Sequence, residues 1–435
     1  RFISKIFFLK FLFRKRLHLL NTKKILYKEK IINEDIYNFQ LDKFNKVWHF
    51  SYKNIPFYSE LKKKYNLPNH ISSLKEIEEF PVLTKEIITK NKDLILQNLS
   101  NYYLISTGGT SGVNTYFPSS TKDANEAYAN MYVGRSWWGI KPFSKIIMFW
   151  GHSHLFGNGI LGEIKHFFRK IKNAIINTER ISSYDLDVDN LEYFYSKIHR
   201  KKFDALLSYT SNMFMIAKYM EKNNLLLPKN IKNIILTSET VTQADIDLIS
   251  KRISPRIINE YGMAETGVIA YSYDSTNNIR VLWDSFIINI KNDGRLFITT
   301  ISEKTFPLIN YDSEDLAKPK EIYNGSVLYI NEIKGKTRNI LKVKNLDGSF
   351  RLISTIFFDH ILKYEEDIYS IHYIQNAEKV EIVVSSNKKL DLDKYKLRFI
   401  KKAKKEFNFI DFSKINISQG KTKKTIAGKR NVIFN

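Results

Sequence analysis

The chain has 435 residues, of which 43% are hydrophobic and 14% aromatic, so it is too long for one small core and too apolar for a disordered protein. It contains no cysteine, which excludes disulfides, thiolate nucleophiles and cysteine-ligated zinc. The formal charge of +24 is concentrated at the ends: residues 1–30 carry ten Lys or Arg against one Glu, and residues 386–435 carry fifteen against four acids. Because the stretch between them is nearly neutral, nucleic acid is a disfavoured partner.

The first twenty residues mix twelve apolar with six basic side chains. Their longest apolar run, residues 6–9, is far shorter than the roughly 18 residues that span a bilayer, and no small-residue cleavage site follows. Two interpretations remain open: a basic helix on an anionic membrane surface, or the first packed helix of the domain. We predict a basic amphipathic segment over residues 1–33, in a cytoplasmic protein that can lie against the inner membrane face.

Residues 34–100 have a helical pattern with turn signals at 54–58 and 79–85. Short apolar runs then alternate with helical stretches, which predicts a largely parallel α/β sheet; the runs are 146–150, 203–208 and 231–237, and the helices 212–223 and 242–253. From about residue 279 the periodicity shortens to two, which predicts an antiparallel subdomain containing 294–301 and 326–331. A strand at 379–385 and a helix near 392–407 indicate a separate lysine-rich lobe.

The predicted fold class is therefore α/β, with a large multi-subdomain N-terminal domain over residues 34–335 and a small α+β C-terminal lobe over residues 336–435. The sheets of the large domain are predicted to be mostly parallel.

Residues 106–112 read STGGTSG and lie between the apolar run 102–105 and the alternating stretch 113–117. Two glycines allow consecutive N–H groups to point at an anion, and four hydroxyls add donors. By itself such a loop is also a plain turn between strands, and it lacks the pattern of a Walker loop.

Seven segments occur in the order found in one family; they are NIPFY at 54–58, FPVLTK at 80–85, STGGTSG at 106–112, YTSNM at 209–213, LTSET at 236–240, NEYGMAETG at 259–267 and FPLINYDSEDL at 306–316. Over residues 45–345 the chain resembles the adenylate-forming enzymes, specifically the phenylacetate-coenzyme A ligase-like group that includes capsular-polysaccharide proteins of the CapK type. The resemblance implies that the large domain is an adenylation domain using ATP and Mg²⁺.

The resemblance also implies roles for individual residues. The loop would hold the β- and γ-phosphates through Ser106, Thr107, Gly108, Gly109, Thr110, Ser111 and Gly112. The adenine side would comprise Ser238, Glu239 and Thr240, and the nucleotide-binding turn would comprise Tyr261, Gly262, Met263, Ala264 and Thr266. Tyr261 would stack on adenine, Glu265 would hold Mg²⁺, and Asp315 would accept from the ribose hydroxyls. The alternatives are a core tyrosine, a helix-capping glutamate and a turn aspartate.

Three further elements follow from the same resemblance. His154, after the strand at 146–150, would contact the carboxylate being activated or gate its pocket; the alternative is a packed histidine. Near the C-terminus, Lys429 would reach the carboxylate and α-phosphate oxygens, with Lys421 as the second candidate and a solvated basic tail as the alternative. Residues 335–344, with Lys336 and Arg338, would form a hinge that lets the small lobe adopt two arrangements.

The sequence also departs from the family pattern. Ala264 replaces the hydroxyl residue that usually contacts the α-phosphate, unless Thr266 supplies that contact. Val113 and Asn114 replace the lysine after the phosphate loop, Glu314 replaces the glycine before the ribose aspartate, and Lys336 with Arg338 replaces the hinge Arg and Asp.

The leading hypothesis is an AMP-forming ligase that activates a carboxylic acid as an acyl-adenylate and transfers it to an amine. The resemblance implies amide formation on a uronic-acid or amino-sugar unit of a capsule or O-antigen polysaccharide. Transfer to coenzyme A is an alternative within the same class. A catalytically degenerate nucleotide-binding protein and a nucleic-acid binder are alternatives of other classes.

Overall fold

A computed structural model describes most of the chain; the described residues are 13–28, 32–107, 115–150, 164, 167, 171, 173–183, 186, 188–252, 256–273, 278–336, 340–355, 358, 361–362, 365–404, 407–421 and 433–434. They divide between two compact units: residues 1–142 with 259–333, and residues 143–258 with 334–435. The predicted division into segments 1–33, 34–335 and 336–435 stays a prediction.

Ten α-helices lie within the described residues: α1 Arg14–Lys28, α2 Asn33–Asn54, α3 Pro56–Lys64, α4 Lys85–Lys90, α5 Lys92–Leu96, α6 Thr121–Trp137, α7 Leu191–His199, α8 Thr210–Lys222, α9 Gln243–Arg252 and α10 Leu392–Ala403. Two of them begin at residues that favour a helix start. Pro56 begins α3, and Ser120 with Asp123 forms a capping box at the start of α6.

The strands of the first 272 residues are β1 Tyr103–Thr107, β2 Thr115–Ser119, β3 Ile146–Trp150, β4 Thr178–Ser182, β5 Ala205–Tyr209, β6 Asn233–Thr237, β7 Arg256–Met263 and β8 Gly267–Ser272. Those that follow are β9 Ile279–Val281, β10 Phe286–Ile290, β11 Arg295–Thr300, β12 Tyr311–Tyr323, β13 Ser326–Lys336, β14 Ile340–Lys344, β15 Phe350–Ser354, β16 Ser370–Asn376, β17 Lys379–Ser385, β18 Ile415–Gln419 and β19 Ile433–Phe434.

The unit formed by residues 1–142 and 259–333 is built on antiparallel pairs. Its strands follow the order β10-β11-β12-β13-β9-β8-β7. Strand β12 alternates buried and partly exposed residues along its first half, as expected when one face packs on a core. Within residues 259–333, antiparallel pairing begins at β7–β8, before the predicted position near residue 279. The sequence did not indicate this, because the apolar run 268–271 in β8 lacks the alternation that identifies half-exposed strands.

The other unit contains a parallel sheet in the order β6-β5-β3-β4. Every residue of β5 and β6 is buried, which is typical of parallel strands covered on both faces. The predicted strand at 146–150 matches β3, and the predicted helices at 212–223 and 242–253 match α8 and α9 within two residues. The same unit holds a four-stranded sheet ordered β18-β17-β16-β19 and the helix α10, which share an apolar core. The predicted α/β fold class is confirmed. The expectation of mostly parallel sheets over residues 34–335 is wrong, because the pairs β1–β2, β7–β8, β8–β9, β9–β13, β10–β11 and β11–β12 are antiparallel.

Helix α1 packs against α6 and contacts Asp284 and Ser285, which immediately precede β10. Leu20, Lys23 and Tyr27 are buried on one of its faces. For residues 14–28 this supports the packed-helix interpretation, whereas residues 1–12 lie outside the described part. Within the described residues, no helix combines the length and apolar character needed to cross a bilayer.

Candidate active site

The hairpin β7–β8 contains the segment 261–266, one of the predicted nucleotide-binding segments. Residues 264–266 form the turn of this hairpin, with Ala264 exposed and Glu265 and Thr266 buried. A Cβ on Gly262 would lie 2.4 Å from the carbonyl oxygen of Gly267, so the two strands approach this closely only with glycine at position 262. The register of the hairpin shifts between Tyr261 and Gly262, which directs the turn residues differently from the strand behind them.

Two tyrosine–carboxylate pairs join this hairpin to β12. The hydroxyl of Tyr261 donates to Oδ2 of Asp315 over 2.8 Å, and the hydroxyl of Tyr311 donates to Oε1 of Glu265 over 2.7 Å. Each segment thus contributes one tyrosine and, four residues later, one carboxylate to the other segment. Glu265 and Asp315 are 8% and 6% exposed, so their positions are fixed by these contacts rather than by solvent.

The electrostatics keep both phenols protonated. Burial, followed by the charge of Asp315, raises the pKa of Tyr261 well above its usual value. Burial and then Glu265 act in the same direction on the pKa of Tyr311. Both hydroxyls therefore remain donors at neutral pH, and each stabilises a carboxylate without neutralising its charge.

Asp315 lies in a bulge of β12. Residues 313–315 face a single residue of β11, since Asp312 pairs with Phe297 and Leu316 pairs with Arg295. The hydroxyl of Ser313 donates to the carbonyl of Leu296 over 2.6 Å and accepts from the N–H of Asp315 over 3.0 Å. The bulge re-aims Asp315 towards Tyr261.

Lys304 stabilises the turn of the hairpin through hydrogen bonds to its backbone. Its Nζ donates to the carbonyl oxygens of Thr266 over 2.9 Å and of Glu265 over 3.4 Å. Thr305, the next residue, donates to the Asp123 carboxylate at the start of α6. Burial lowers the pKa of Lys304, although Asp123, Glu126 and Glu265 oppose this shift.

The site fits a magnesium ion that enters with a nucleotide. Within the described residues no group of three or more His, Asp or Glu side chains could hold a metal by itself. Mg²⁺ usually keeps several waters and needs only one or two carboxylates when phosphates supply other ligands. Glu265 matches this requirement, because only its Oε1 accepts a hydrogen bond from the described residues.

The predicted phosphate loop connects two antiparallel strands. Thr107 of β1 pairs with Thr115 of β2, and its hydroxyl donates to the Thr115 carbonyl over 3.4 Å. Ser106, the preceding residue, is exposed. The rest of the loop lies outside the described residues, namely Gly108, Gly109, Thr110, Ser111 and Gly112.

Other predicted site residues lie in the unit of residues 143–258 and 334–435. After β6, Ser238 adopts φ +67°, and Glu239 accepts from the N–H of Ser211 over 2.7 Å at the start of α8. Thr240 is half-buried beside them, Lys336 ends β13, and Lys421 is exposed. His154, Arg338 and Lys429 lie outside the described residues. The nucleotide roles of all these residues stay predictions.

Thr266, the predicted substitute for a hydroxyl at position 264, is 1% exposed, and its Oγ1 donates to the Gly267 carbonyl over 2.9 Å.

Sequence reasoning missed Tyr311 and Lys304. A signal for Tyr311 was available, because a tyrosine precedes a carboxylate by four residues in both motifs, at 261–265 and at 311–315. No comparable pattern marks Lys304, which reaches the hairpin only through the tertiary fold.

Comparisons with known proteins place the chain in context. It is 27% identical over 388 residues to Protein CapK of Staphylococcus aureus, with 86% of this chain and 83% of that protein covered. No protein-family model matches the sequence. The predicted resemblance to CapK-type adenylate-forming proteins is thereby confirmed.

Solved structures show the same fold at low sequence identity. Two structures of a 2-hydroxyisobutyryl-CoA ligase in the postadenylation state superimpose with TM-scores of 0.69 and 0.67, each at 14% identity. They cover 94% and 91% of this chain, and 91% and 88% of those chains. Fatty acyl-adenylate ligases from E. coli and L. pneumophila reach a TM-score of 0.52 at 12% identity, over 75% of this chain and 67% of that one. The protein therefore has the fold of the acyl-adenylate-forming ligases.

Proposed function

We propose that this relative of CapK activates a carboxylic acid with ATP as an acyl-adenylate and transfers the acyl group to an amine. The observation that carries the proposal is the reciprocal pairing of Tyr261 with Asp315 and of Tyr311 with Glu265. It fixes two buried carboxylates on adjoining segments, where one can bind ribose hydroxyls and the other a phosphate-bound cation.

In the first step, a carboxylate oxygen of the acid attacks the α-phosphorus of ATP, and pyrophosphate leaves. Bringing one anion to another requires charge neutralisation and in-line positioning. Asp315 would hold the ribose, the loop at residues 106–112 would hold the outer phosphates, and Glu265 would hold Mg²⁺. The ion would neutralise developing charge on the phosphate oxygens.

In the second step, an amine attacks the activated carbonyl, AMP leaves, and the amine proton passes to a base or to water. Lys429 or Lys421 would supply positive charge during the first step. His154 would contact the acid. The sequence relation to CapK supports a uronic acid or amino sugar of a surface polysaccharide as substrate, and a thiol acceptor is the alternative within the same chemistry.

Isotope transfer tests both steps together. When the acid carries ¹⁸O in its carboxylate, the reaction through an acyl-adenylate moves one labelled oxygen into AMP, which mass spectrometry detects. Parallel reactions would contain an amino sugar, an amino acid or coenzyme A as acceptor. Labelled AMP formed with an amine supports the proposal, and labelled AMP formed only with coenzyme A favours the thiol ligase. Unlabelled AMP, or ADP in its place, would refute carboxylate adenylation.

A further inference from the structure

One departure from the family pattern has an unusual backbone conformation. Glu314 stands where a glycine is expected and adopts φ +60°, in the left-handed region that side chains other than glycine disfavour. It is the central residue of the bulge at residues 313–315, immediately before Asp315. Something in the surrounding structure must therefore hold Glu314 in this conformation.

Lys85 is the partner that the structure provides. Its Nζ lies 2.8 Å from Oε2 of Glu314, and the two side chains are 22% and 38% exposed. Lys85 is the first residue of α4, and Thr84 caps this helix by accepting from the N–H of Ile87. The ammonium is therefore carried by a short, anchored element rather than by a free loop.

Backbone bonds align the same two segments. The N–H of Leu83 donates to the carbonyl of Asn310 over 3.1 Å, and the N–H of Asp312 donates to the carbonyl of Leu83 over 2.9 Å. Inside the bulge, the N–H of Glu314 donates to the Asp312 carboxylate over 2.8 Å. Residues 83–85 and 310–314 thus run side by side and end at the Lys85–Glu314 ion pair.

The Lys85–Glu314 ion pair also reduces the repulsion between neighbouring carboxylates. Asp312, Glu314 and Asp315 place three carboxylates within four residues. Without the Lys85 ammonium, Glu314 would keep its unfavourable backbone conformation and would lose the cation that lies 2.8 Å from its carboxylate. The bulge could then relax, and Asp315 would leave the position in which it meets Tyr261.

We propose that Lys85 and Glu314 are a positioning pair that fixes the Asp315 carboxylate for the ribose of the nucleotide. This inference rests on the proposed function, in which Asp315 binds the ribose hydroxyls. A glycine at this position would adopt the same conformation without strain, whereas in this chain the ion pair with Lys85 provides a restraint.

The test compares the affinity for Mg·ATP with that for Mg·2′,3′-dideoxy-ATP, which lacks both ribose hydroxyls. The variants are Lys85→Met, Glu314→Gly and the double variant. Lys90→Met serves as the matched control, because it removes an exposed ion pair with Glu86 from the same helix. Melting temperatures ensure that binding is measured on folded protein.

The wild type should prefer ATP, and Lys85→Met should reduce this preference about three- to fivefold, in keeping with a partly exposed ion pair. Glu314→Gly should keep the preference, because glycine adopts φ +60° without strain. The double variant should regain what Lys85→Met lost, and Lys90→Met should match the wild type.

A Lys85→Met protein that retains the full preference, or a double variant no better than Lys85→Met, would overturn the positioning role. Equal affinity of the wild type for both nucleotides would instead show that Asp315 does not bind the ribose hydroxyls. That result would contradict the proposed role of Asp315 as well as this inference.

Discussion

Tyr311 shows how one hydroxyl orients a buried carboxylate. It lies at the start of β12, is fully buried, and donates to Oε1 of Glu265 from the neighbouring hairpin. Among the described residues no group donates to Oε2 of Glu265, so this is the oxygen that would bind the proposed cation. A buried carboxylate with one fixed and one available oxygen is preorganised for its ligand.

We predict that Tyr311→Phe weakens Mg²⁺-dependent ATP binding. The loss of a hydrogen bond to a charged group corresponds to about 1.5–3 kcal/mol, or an approximately 10- to 100-fold increase in the Mg²⁺ concentration needed for half-maximal binding. Calorimetric titration of ATP at a series of Mg²⁺ concentrations measures this.

Tyr58→Phe is the matched control, since Tyr58 donates to the Pro307 carbonyl in the same apolar cluster and does not contact Glu265. It should lower stability without changing the Mg²⁺ requirement. An equal Mg²⁺ shift in both variants would show that the Tyr311 effect is general destabilisation.

Candidate site residues could be named from the sequence only where a motif contains them, and their roles stay predictions. Tyr261, Glu265 and Asp315 were picked out by order and spacing, and the structure pairs Tyr261 with Asp315 and Glu265 with Tyr311. The partners that hold them could not, because Tyr311–Glu265 and Lys85–Glu314 join residues 46 and 229 positions apart. Such pairs depend on the tertiary fold.

At the scale of elements, the basic helix α1 packs into the core because its buried lysine is paired with carboxylates. Lys23 is 5% exposed and contacts Glu126 of α6 over 2.6 Å, as well as Asp284. Tyr27 donates to the other oxygen of Asp284 over 2.7 Å. Burial opposes the charge of Lys23, but Asp284 and Glu126 outweigh it and raise the pKa of this lysine.

We predict that Lys23→Met lowers the free energy of unfolding by about 3 kcal/mol, because it leaves the buried Asp284 and the largely buried Glu126 without their cation. Urea titration followed by circular dichroism measures the change.

The neighbouring Lys24→Met, at a half-exposed position, should change the same quantity by less than about 0.5 kcal/mol. If the two variants were equally stable, α1 would not depend on the buried ion pairs for its docking.

Elements were predictable where their pattern was distinct. Strand β3 and strand β17 begin and end where the apolar runs indicated. The hairpin β7–β8 was predicted only as a motif, since four consecutive apolar residues, 268–271, hide any period of two in its second strand. For α1, composition was compatible with a membrane surface and with a packed helix. The burial of Lys23 could not be predicted, because nothing in the sequence distinguishes this lysine from the many others.

At the scale of the whole molecule, one contact joins distant parts of the unit that contains residues 143–258 and 334–435. Lys218 of α8 is 4% exposed and donates to the carbonyl of Ile368 over 2.5 Å and to that of Glu365. The Glu365 carboxylate in turn pairs with Arg398 and Lys402 of α10. The buried Nζ of Lys218 therefore helps to anchor the C-terminal part of this unit to α8.

This contact predicts a specific pH dependence. Burial lowers the pKa of Lys218 to about 7 from its ordinary value of 10.5, although nearby carboxylates, chiefly Glu221, oppose the shift. Between these two values the unfolded chain binds one more proton than the folded chain at this position. The contribution of Lys218 to stability therefore increases as pH rises above 7, and is constant below it.

We expect the stability difference between wild type and Lys218→Met to grow by about 1–2 kcal/mol between pH 7 and pH 9. Lys222→Met, which alters an exposed lysine of the same helix, should show no such growth. Urea midpoints measured at several pH values decide this, and parallel curves for both variants would contradict the assignment to Lys218.

The central claim is that the protein adenylates a carboxylic acid, and carboxylate-dependent ATP–pyrophosphate exchange tests it most directly. The assay would use a panel of uronic acids, amino acids and simple carboxylic acids, with Glu265→Gln as the control. We predict exchange with one class of acid and a loss of about a hundredfold or more in the control. If Mg·ATP bound but no acid on the panel supported exchange, the claim would be contradicted and the protein would be a nucleotide-binding protein without this activity.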